Sequence, residues 1–300
     1  MMNSITLLTR HSPLAMWQAE TVRRLLLEKN PRLSIIIAGQ STQGDREQQI
    51  ALREIGGKNL FAHDLQKKIQ PGFCAVHSLK DLSVHPQENL TLAATLKRTT
   101  VCDALVSRYG TLHELRPGAR VGTASPRRCS QLLSQRPDLT CKLIRGNVGT
   151  RLTKLDAGEF DAVLLAACGL ERLNLAQRIT EHLDPAVFVP AIGQAVIGIE
   201  CLRTDQAMQT LLKSIHCEKT FTCIQAERAF NQYLGGDCFS AIAAHAEFND
   251  GQLILRAYVG SLDGKTQLRG QLAGSDALTL GITLAKQLEA DGARALLNQE

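Results

Sequence analysis

The feature that most constrains this chain is a recurring junction, in which a short apolar run ends in polar or basic residues and passes directly into a helix start. Ser4–Thr9 reads as a strand, and Ser12-Pro13 then opens a helix through about Lys29, with serine at the cap and proline at the first helical position. Leu33–Ala38 and Phe73–His77 read as further strands, with a helix over Asn59–Ile69 between them. The later strand runs into His77-Ser78-Leu79-Lys80-Asp81. A second unit repeats the design. Ala119–Gly122 is a strand, and Ser125-Pro126 begins a helix near Arg127–Gln135. Thr140–Ile144 leads through Arg145-Gly146-Asn147-Val148-Gly149-Thr150-Arg151 into a helix ending near Ala157, and Asp161–Ala166 is strongly apolar. Such alternation predicts an α/β fold with largely parallel sheets. Ala195–Cys201 is apolar again and predicts a return to a sheet.

From about Thr220 the texture changes. A helix around Cys223–Leu234 precedes alternating strands at Ala244–Phe248, Leu253–Val259 and Gln267–Ala273. Asn249-Asp250-Gly251 and Asp263-Gly264 are hairpin turns between them, and Ala277–Ala290 closes as a helix, giving an α+β tail. A chain of 300 residues exceeds one comfortable core, so two or three domains are expected. There is no repeat of solenoid period.

Composition narrows the function. The charged fraction of 21% is that of an ordinary globular protein, and no apolar run approaches the roughly 20 residues of a membrane span. The N-terminus lacks a basic segment followed by an apolar one, and the nine cysteines include no CxxC pair. Together these predict reduced thiols in a cytoplasmic protein, with neither a disulfide framework nor a metal site. A net charge of +5 with 4% aromatics gives little support for nucleic-acid binding. Neither GxGxxG nor GxxxxGK[ST] occurs, so dinucleotide and P-loop sites lack support.

The chemistry is expected at the junctions. In open α/β sheets ligands bind beyond the carboxyl ends of strands, where helix N-termini favour anions. Arginines and a lysine at four such points predict a polycarboxylate or phosphate ligand, since the guanidinium fork accepts a carboxylate through two bonds. Each piece also has an ordinary explanation. Ser-Pro pairs start helices, Arg127-Arg128 suits a solvated helix face, and Gly146 and Gly149 suit a turn. Asp81 suits a surface ion pair, and Cys238, in Gly235-Gly236-Asp237-Cys238, suits an inert small residue as well as a nucleophile.

Taken together, these segments resemble the porphobilinogen deaminase family over nearly the whole chain. The resemblance rests on Thr9-Arg10-His11-Ser12-Pro13-Leu14-Ala15 with Trp17-Gln18-Ala19, Gly56-Gly57-Lys58 with Leu60-Phe61, and Ala75-Val76-His77-Ser78-Leu79-Lys80-Asp81. It continues through Gly122-Thr123-Ala124-Ser125 with Arg127-Arg128, Arg145 to Leu152, Ile192-Gly193-Gln194, Gly198-Ile199-Glu200 and Glu227-Arg228-Ala229. It implies two periplasmic-binding-protein-like α/β domains with mixed sheets and a smaller α+β C-terminal domain. The expected extents are 1–97 with 195–215, then 102–191, then 218–300. It further implies a monomeric transferase, hydroxymethylbilane synthase, that joins porphobilinogens onto a dipyrromethane cofactor bonded through Cys238. Asp81 matches the catalytic carboxylate. Lys80, Ser125, Arg127 and Arg128 match cofactor binders. Arg10, Ser12, Arg145, Arg151, Gln194, Lys58 and Phe61 match substrate binders, with Lys58 on a loop over the cleft.

The chain departs from the family pattern near the implied site. Gln43 and Cys102 stand where arginine is usual, Ala195 where glycine is usual, and Asp237 and Ala241 where a small residue and proline flank the cofactor cysteine. Losing a charged hydrogen bond costs roughly 1.5–3 kcal/mol, so these positions are expected to weaken polyanion binding. The rival they suggest is a relative that binds a tetrapyrrole or another polycarboxylate without turning it over.

Overall fold

The computed structural model describes residues 2–41, 62–237 and 239–297. The chain divides into two compact units, Met1–Thr99 with Ala195–Phe221, and Thr100–Gln194 with Thr222–Glu300.

In the first unit, β1 (Ser4–Arg10), β2 (Ser34–Gln40) and β3 (Phe73–Ser78) run parallel. Beyond β3 lies β10 (Ile197–Leu202), antiparallel to β3 and to β4 (Leu90–Thr95), giving the order β2-β1-β3-β10-β4. Strand side chains alternate between faces, so Cys74 and Val76 enter one core while Ala75 enters another. Helices α1 (Pro13–Lys29) and α6 (Gln206–Lys213) cover the first face, setting Val22, Leu26, Met208 and Leu212 against Ile5, Leu7 and Ile199. On the other face α2 (His63–Gln66) sets Leu65 against Leu8 and Ala75. A sheet covered on both sides needs near-continuous apolar strands, which is what the sequence supplies.

The second unit begins with β5 (Asp103–Ser107), then β6 (Arg120–Gly122), α3 (Pro126–Gln135), β7 (Thr140–Lys142) and α4 (Val148–Asp156). It continues through β8 (Ala162–Ala166), α5 (Ala167–Arg172) and β9 (Glu181–His182), in the sheet order β7-β6-β8-β5-β9. Strands β6, β7 and β8 are parallel, and β5 is antiparallel to both β8 and β9. Both five-stranded sheets therefore share one plan. In each, the next-to-edge strand opposes all the others and belongs to a segment that has just entered the unit. The sequence announces the repeat as a second run of strand–helix junctions but not the reversed strand in each sheet.

The same unit contains α7 (Glu218–Leu234, its first turn assigned to the first unit), β11 (Ile242–Asn249), β12 (Gln252–Gly260), β13 (Gln267–Gly274), α8 (Ala277–Ala290) and α9 (Ala293–Leu297). The three strands form an antiparallel sheet around Phe230, Ala244, Leu255 and Leu284. Asp250 and Gly251 both have positive φ, 48° and 79°, as the expected β11–β12 turn requires.

The sequence reading placed most elements within a few residues and missed β4, β5, β9, α5, α6 and the terminal α9. Strand β5 opens with an aspartate, and β9 has two residues, too few for a pattern to register. The described part of the expected Asn59–Ile69 helix is a single turn, and α7 starts at Glu218 rather than near Cys223.

Candidate functional site

At the carboxyl ends of β1 and β3, an open recess is lined by Arg10, Ser12, Gln18, His77, Lys80 and Asp81 among others. Three devices build it. Ser12 caps α1 by accepting the Ala15 N–H at 3.3 Å, and Pro13 occupies the first turn. Leu79–Asp81 form a 3-10 turn that carries Lys80 and Asp81 off the end of β3. Gln18 and Ser78 clasp each other, the amide donating at 2.7 Å and the hydroxyl returning a bond at 3.1 Å, which pins α1 to the strand end.

Arg10 Nη1 lies 3.9 Å from Asp81 Oδ2, with the two side chains 22% and 34% exposed. At that distance the pair is Coulombic rather than hydrogen-bonded. Asp81 thus sits among cations with lone pairs left for a ligand. Beneath the recess, Glu200 is buried, with Oε2 accepting from Gln66 at 2.9 Å and lying 3.0 Å from His77 Nε2. The His77–Glu200 approach is close but not aligned as a hydrogen bond.

In the second unit, Ser125 caps α3 by accepting the Arg128 N–H at 3.4 Å, and Asn147 caps α4 by accepting the Thr150 N–H at 2.9 Å. Helix α3 buries its polar side. Arg127 and Arg128 are 4% and 6% exposed and converge on Asp103, which is fully buried. Arg127 Nη1 reaches Asp103 Oδ2 at 2.7 Å and the Val189 carbonyl at 2.8 Å. Arg128 donates Nε and Nη2 to Oδ1 at 2.9 and 2.7 Å, and Nη1 to the Leu164 carbonyl at 3.1 Å. Gln194 Nε2 adds a bond to Oδ1 at 3.0 Å and one to the Val101 carbonyl at 2.7 Å. Burial pushes the Asp103 carboxyl up, but the two guanidinium charges and their hydrogen bonds outweigh it and hold the group well below the carboxylate range. Gln194 Oε1 and Arg127 Nε are buried without a hydrogen-bond partner among the described residues.

Arg145 is 9% exposed, just before α4, and Arg151 Nε donates to the Gly146 carbonyl at 2.9 Å. Gly146 has φ 109°, and a Cβ there would meet Thr150 at 2.7 Å, so this turn requires glycine. The predicted residues thus fall into two groups. Arg10, Ser12, Lys80 and Asp81 share the recess of the first unit, while Ser125, Arg127, Arg128, Gln194, Arg145 and Arg151 belong to the second. Gln43, Lys58, Phe61 and Cys238 lie outside the described residues.

Three of the departures, Cys102, Ala195 and Asp237, have distinct local settings. Cys102 is buried in the core with Leu165 and Leu170, and burial, then the neighbouring Asp103 charge, pushes its thiol up to about 11. Ala195 has φ 67°, the left-handed conformation that favours glycine. Asp237 Oδ1 accepts the Phe239 N–H at 3.0 Å and the Ser240 hydroxyl at 2.9 Å. The sequence reading missed Asp103, Glu200 and Gln18 as site residues. An acid heading an apolar strand was the one available signal for Asp103.

Residues 5–210 match the family model described as "Porphobilinogen deaminase, dipyromethane cofactor binding domain", and residues 221–290 match "Porphobilinogen deaminase, C-terminal domain". The chain is 46% identical over 300 residues to a porphobilinogen deaminase of Coxiella burnetii, covering 99% of this chain and 97% of that one. It is 43% identical over 302 residues to that of Thiobacillus denitrificans, covering 99% of each. Among solved structures, the periplasmic VFT2 domain of Bordetella pertussis BvgS aligns at TM-score 0.40 and 16% identity, over 71% of this chain and 85% of that one.

Proposed function

The chain belongs to the porphobilinogen deaminase family, and on that premise we propose how its own residues carry out the family's reaction. It is a hydroxymethylbilane synthase, a transferase of tetrapyrrole and heme biosynthesis that joins four porphobilinogens stepwise, with loss of ammonia, and releases linear hydroxymethylbilane by hydrolysis. The observation that carries the assignment of roles is the recess that gathers Arg10, Ser12, Lys80 and Asp81 at the ends of β1 and β3.

Porphobilinogen bears an acetate and a propionate on its ring, so the growing chain is a polyanion. Arg10 and Lys80, with the Ser12 hydroxyl, take those carboxylates as charge-assisted hydrogen bonds. Asp81 is the one carboxylate among the described residues of the recess lining, 3.9 Å from Arg10. It holds the pyrrole N–H, stabilises the positive charge that develops on the substrate as ammonia leaves, and carries the proton between ring and leaving amine. Arg145 and Arg151 take carboxylates of the lengthening product. Lys58 and Phe61 complete the substrate set.

The cofactor of this family is dipyrromethane, and we assign Cys238 as its point of attachment by thioether. The residues fit such a group. Arg127 Nε and Gln194 Oε1 are a buried donor and a buried acceptor with no partner among the described residues, suited to a ring carboxylate and a pyrrole N–H. When bound, the dipyrromethane supplies the free pyrrole α-carbon to which the first unit is added. Ser125, Lys80, Arg127 and Arg128 complete its binding set.

The same reading makes the protein a cytoplasmic monomer with a small-molecule substrate and neither nucleic acid nor a membrane as partner. No helix among the described residues is long and apolar enough to cross a membrane. Residues 218–300 form the third domain, supported by their own sheet and core. A non-catalytic relative is the weaker reading, because Asp81 and its cations are in place.

Intact-protein mass before and after incubation with porphobilinogen tests the proposal. An adduct on Cys238 and stepwise pyrrole additions are expected, whereas an unmodified thiol and no product with preformed cofactor supplied would overturn it. Asp81→Ala is expected to bind porphobilinogen yet lose about 100-fold or more of turnover. Unchanged turnover would remove Asp81 from its assigned role.

A further inference from the structure

Glu227 lies in the middle of α7, 0% exposed, and its two carboxylate oxygens serve two different segments. Oε2 accepts the Gly193 N–H at 2.8 Å, and Oε1 accepts the Ala246 N–H, in β11, at 2.8 Å. Gly193 begins the return of the chain toward the first unit and has φ 73°, and Ala195 two residues on has φ 67°. Glycine adopts such a φ without strain, but the left-handed conformation of Ala195 costs energy and persists only where the surrounding loop is held. Glu227 is one such hold.

Gln194 stands between those two residues. Its amide donates to Asp103 Oδ1 and to the Val101 carbonyl, so the angle at which the returning loop enters fixes where that amide points. Asp103 in turn receives Arg127 on one oxygen and Arg128 on the other. Every side chain along this path is buried, and a fully buried carboxylate that orients two guanidinium groups has little freedom to adjust. The path runs from β11, whose first residue lies four after position 238, to the arginine pair at the start of α3.

We infer that Glu227 is a positioning residue for ligand binding, setting the orientation of the Arg127–Arg128 pair through Gly193, Gln194 and Asp103. The inference rests on the reading that these arginines take carboxylates of the bound tetrapyrrole chain. Glu227 itself touches neither substrate nor cofactor. Its carboxylate is required because it offers acceptors in two directions. The isosteric amide of glutamine offers one acceptor and presents N–H donors to the other N–H.

The test is a kinetic double-mutant cycle on the holoenzyme, with Glu227→Gln crossed against Arg128→Lys. Glu227→Gln is expected to raise KM for porphobilinogen about fivefold or more, with kcat per cofactor-loaded chain changed less than twofold. Glu227→Asp, which keeps the carboxylate, is expected to recover part of the loss. On Arg128→Lys, where no planar fork remains to be aimed, Glu227→Gln is expected to change KM less than twofold. Distant independent sites multiply their effects, so a full KM increase on the lysine background would overturn the inference. So would a Glu227→Gln chain that merely unfolds at lower temperature while its active fraction keeps the wild-type KM. If Arg128→Lys turns over too slowly to measure, the same cycle is read against Gln194→Ala. A wild-type chain that converts no porphobilinogen would instead defeat the functional reading on which this one stands.

Discussion

At the residue scale, the most consequential group is one that binds no ligand. Asp103 keeps two arginines buried, and its own pKa is depressed although burial raises it, because the guanidinium charges and hydrogen bonds prevail. A depressed carboxyl contributes stability that is complete above the unfolded carboxylate value near pH 4 and disappears as the pH falls toward the folded value. Asp103→Asn leaves both guanidinium groups without their counter-charge, for which about 3–5 kcal/mol of destabilisation is expected. Urea unfolding at pH 7 and pH 3 checks this. The variant should lose more stability at pH 7 than at pH 3, where part of the contribution persists, and show a flatter acid dependence; equal losses at both values would count against the depressed pKa. The arginines were legible as ligand candidates from their position after a Ser-Pro start. Their partner was not, because a lone aspartate heading β5 carries no spacing signal, and only the antiparallel register of β5 with β8 brings it under α3.

At the element scale, the junctions were readable because caps are local. Ser12, Ser125 and Asn147 each accept an N–H three residues on, and a serine before proline announces that geometry without tertiary information. The burial of polar residues along α3 was not readable, since an Arg-Arg pair looks solvated until Asp103 and the Val189 and Leu164 carbonyls are in place. The turn before β10 offers a direct test. Ala195 pays the cost of a left-handed Cβ, roughly 1–2 kcal/mol, against which glycine loses up to about 1 kcal/mol of backbone entropy. Ala195→Gly should therefore raise stability by about 0.5–1 kcal/mol with unchanged denaturant sensitivity. A loss of stability in urea titration would show that the alanine methyl, 5% exposed, packs better than its backbone suffers.

At the scale of the whole molecule, fold class was legible from alternation and the tail from its turns, whereas the shared plan of the two sheets was not. Topology is a matter of which strands pair, and β10 meets β3 and β4 across a hundred residues of chain on no local cue. That placement has a bearing on the order in which the molecule is made. Among the described residues the only neighbour of β4 in its sheet is β10, so the earlier strand has no partner there until the ribosome has delivered the later one. The sheet built from β5 to β9 draws on one continuous stretch of chain and waits for nothing. Pairing across long separations is slow. In pulsed hydrogen exchange during refolding, amides of β5 and β8 should therefore gain protection before those of β4, and simultaneous protection would argue against it. The five-stranded sheet of the first unit, though begun first, is closed after that of β5 to β9. Until then it presents an open sheet edge to whatever else is present, a vulnerability that a chaperone or the emerging remainder of the chain must cover.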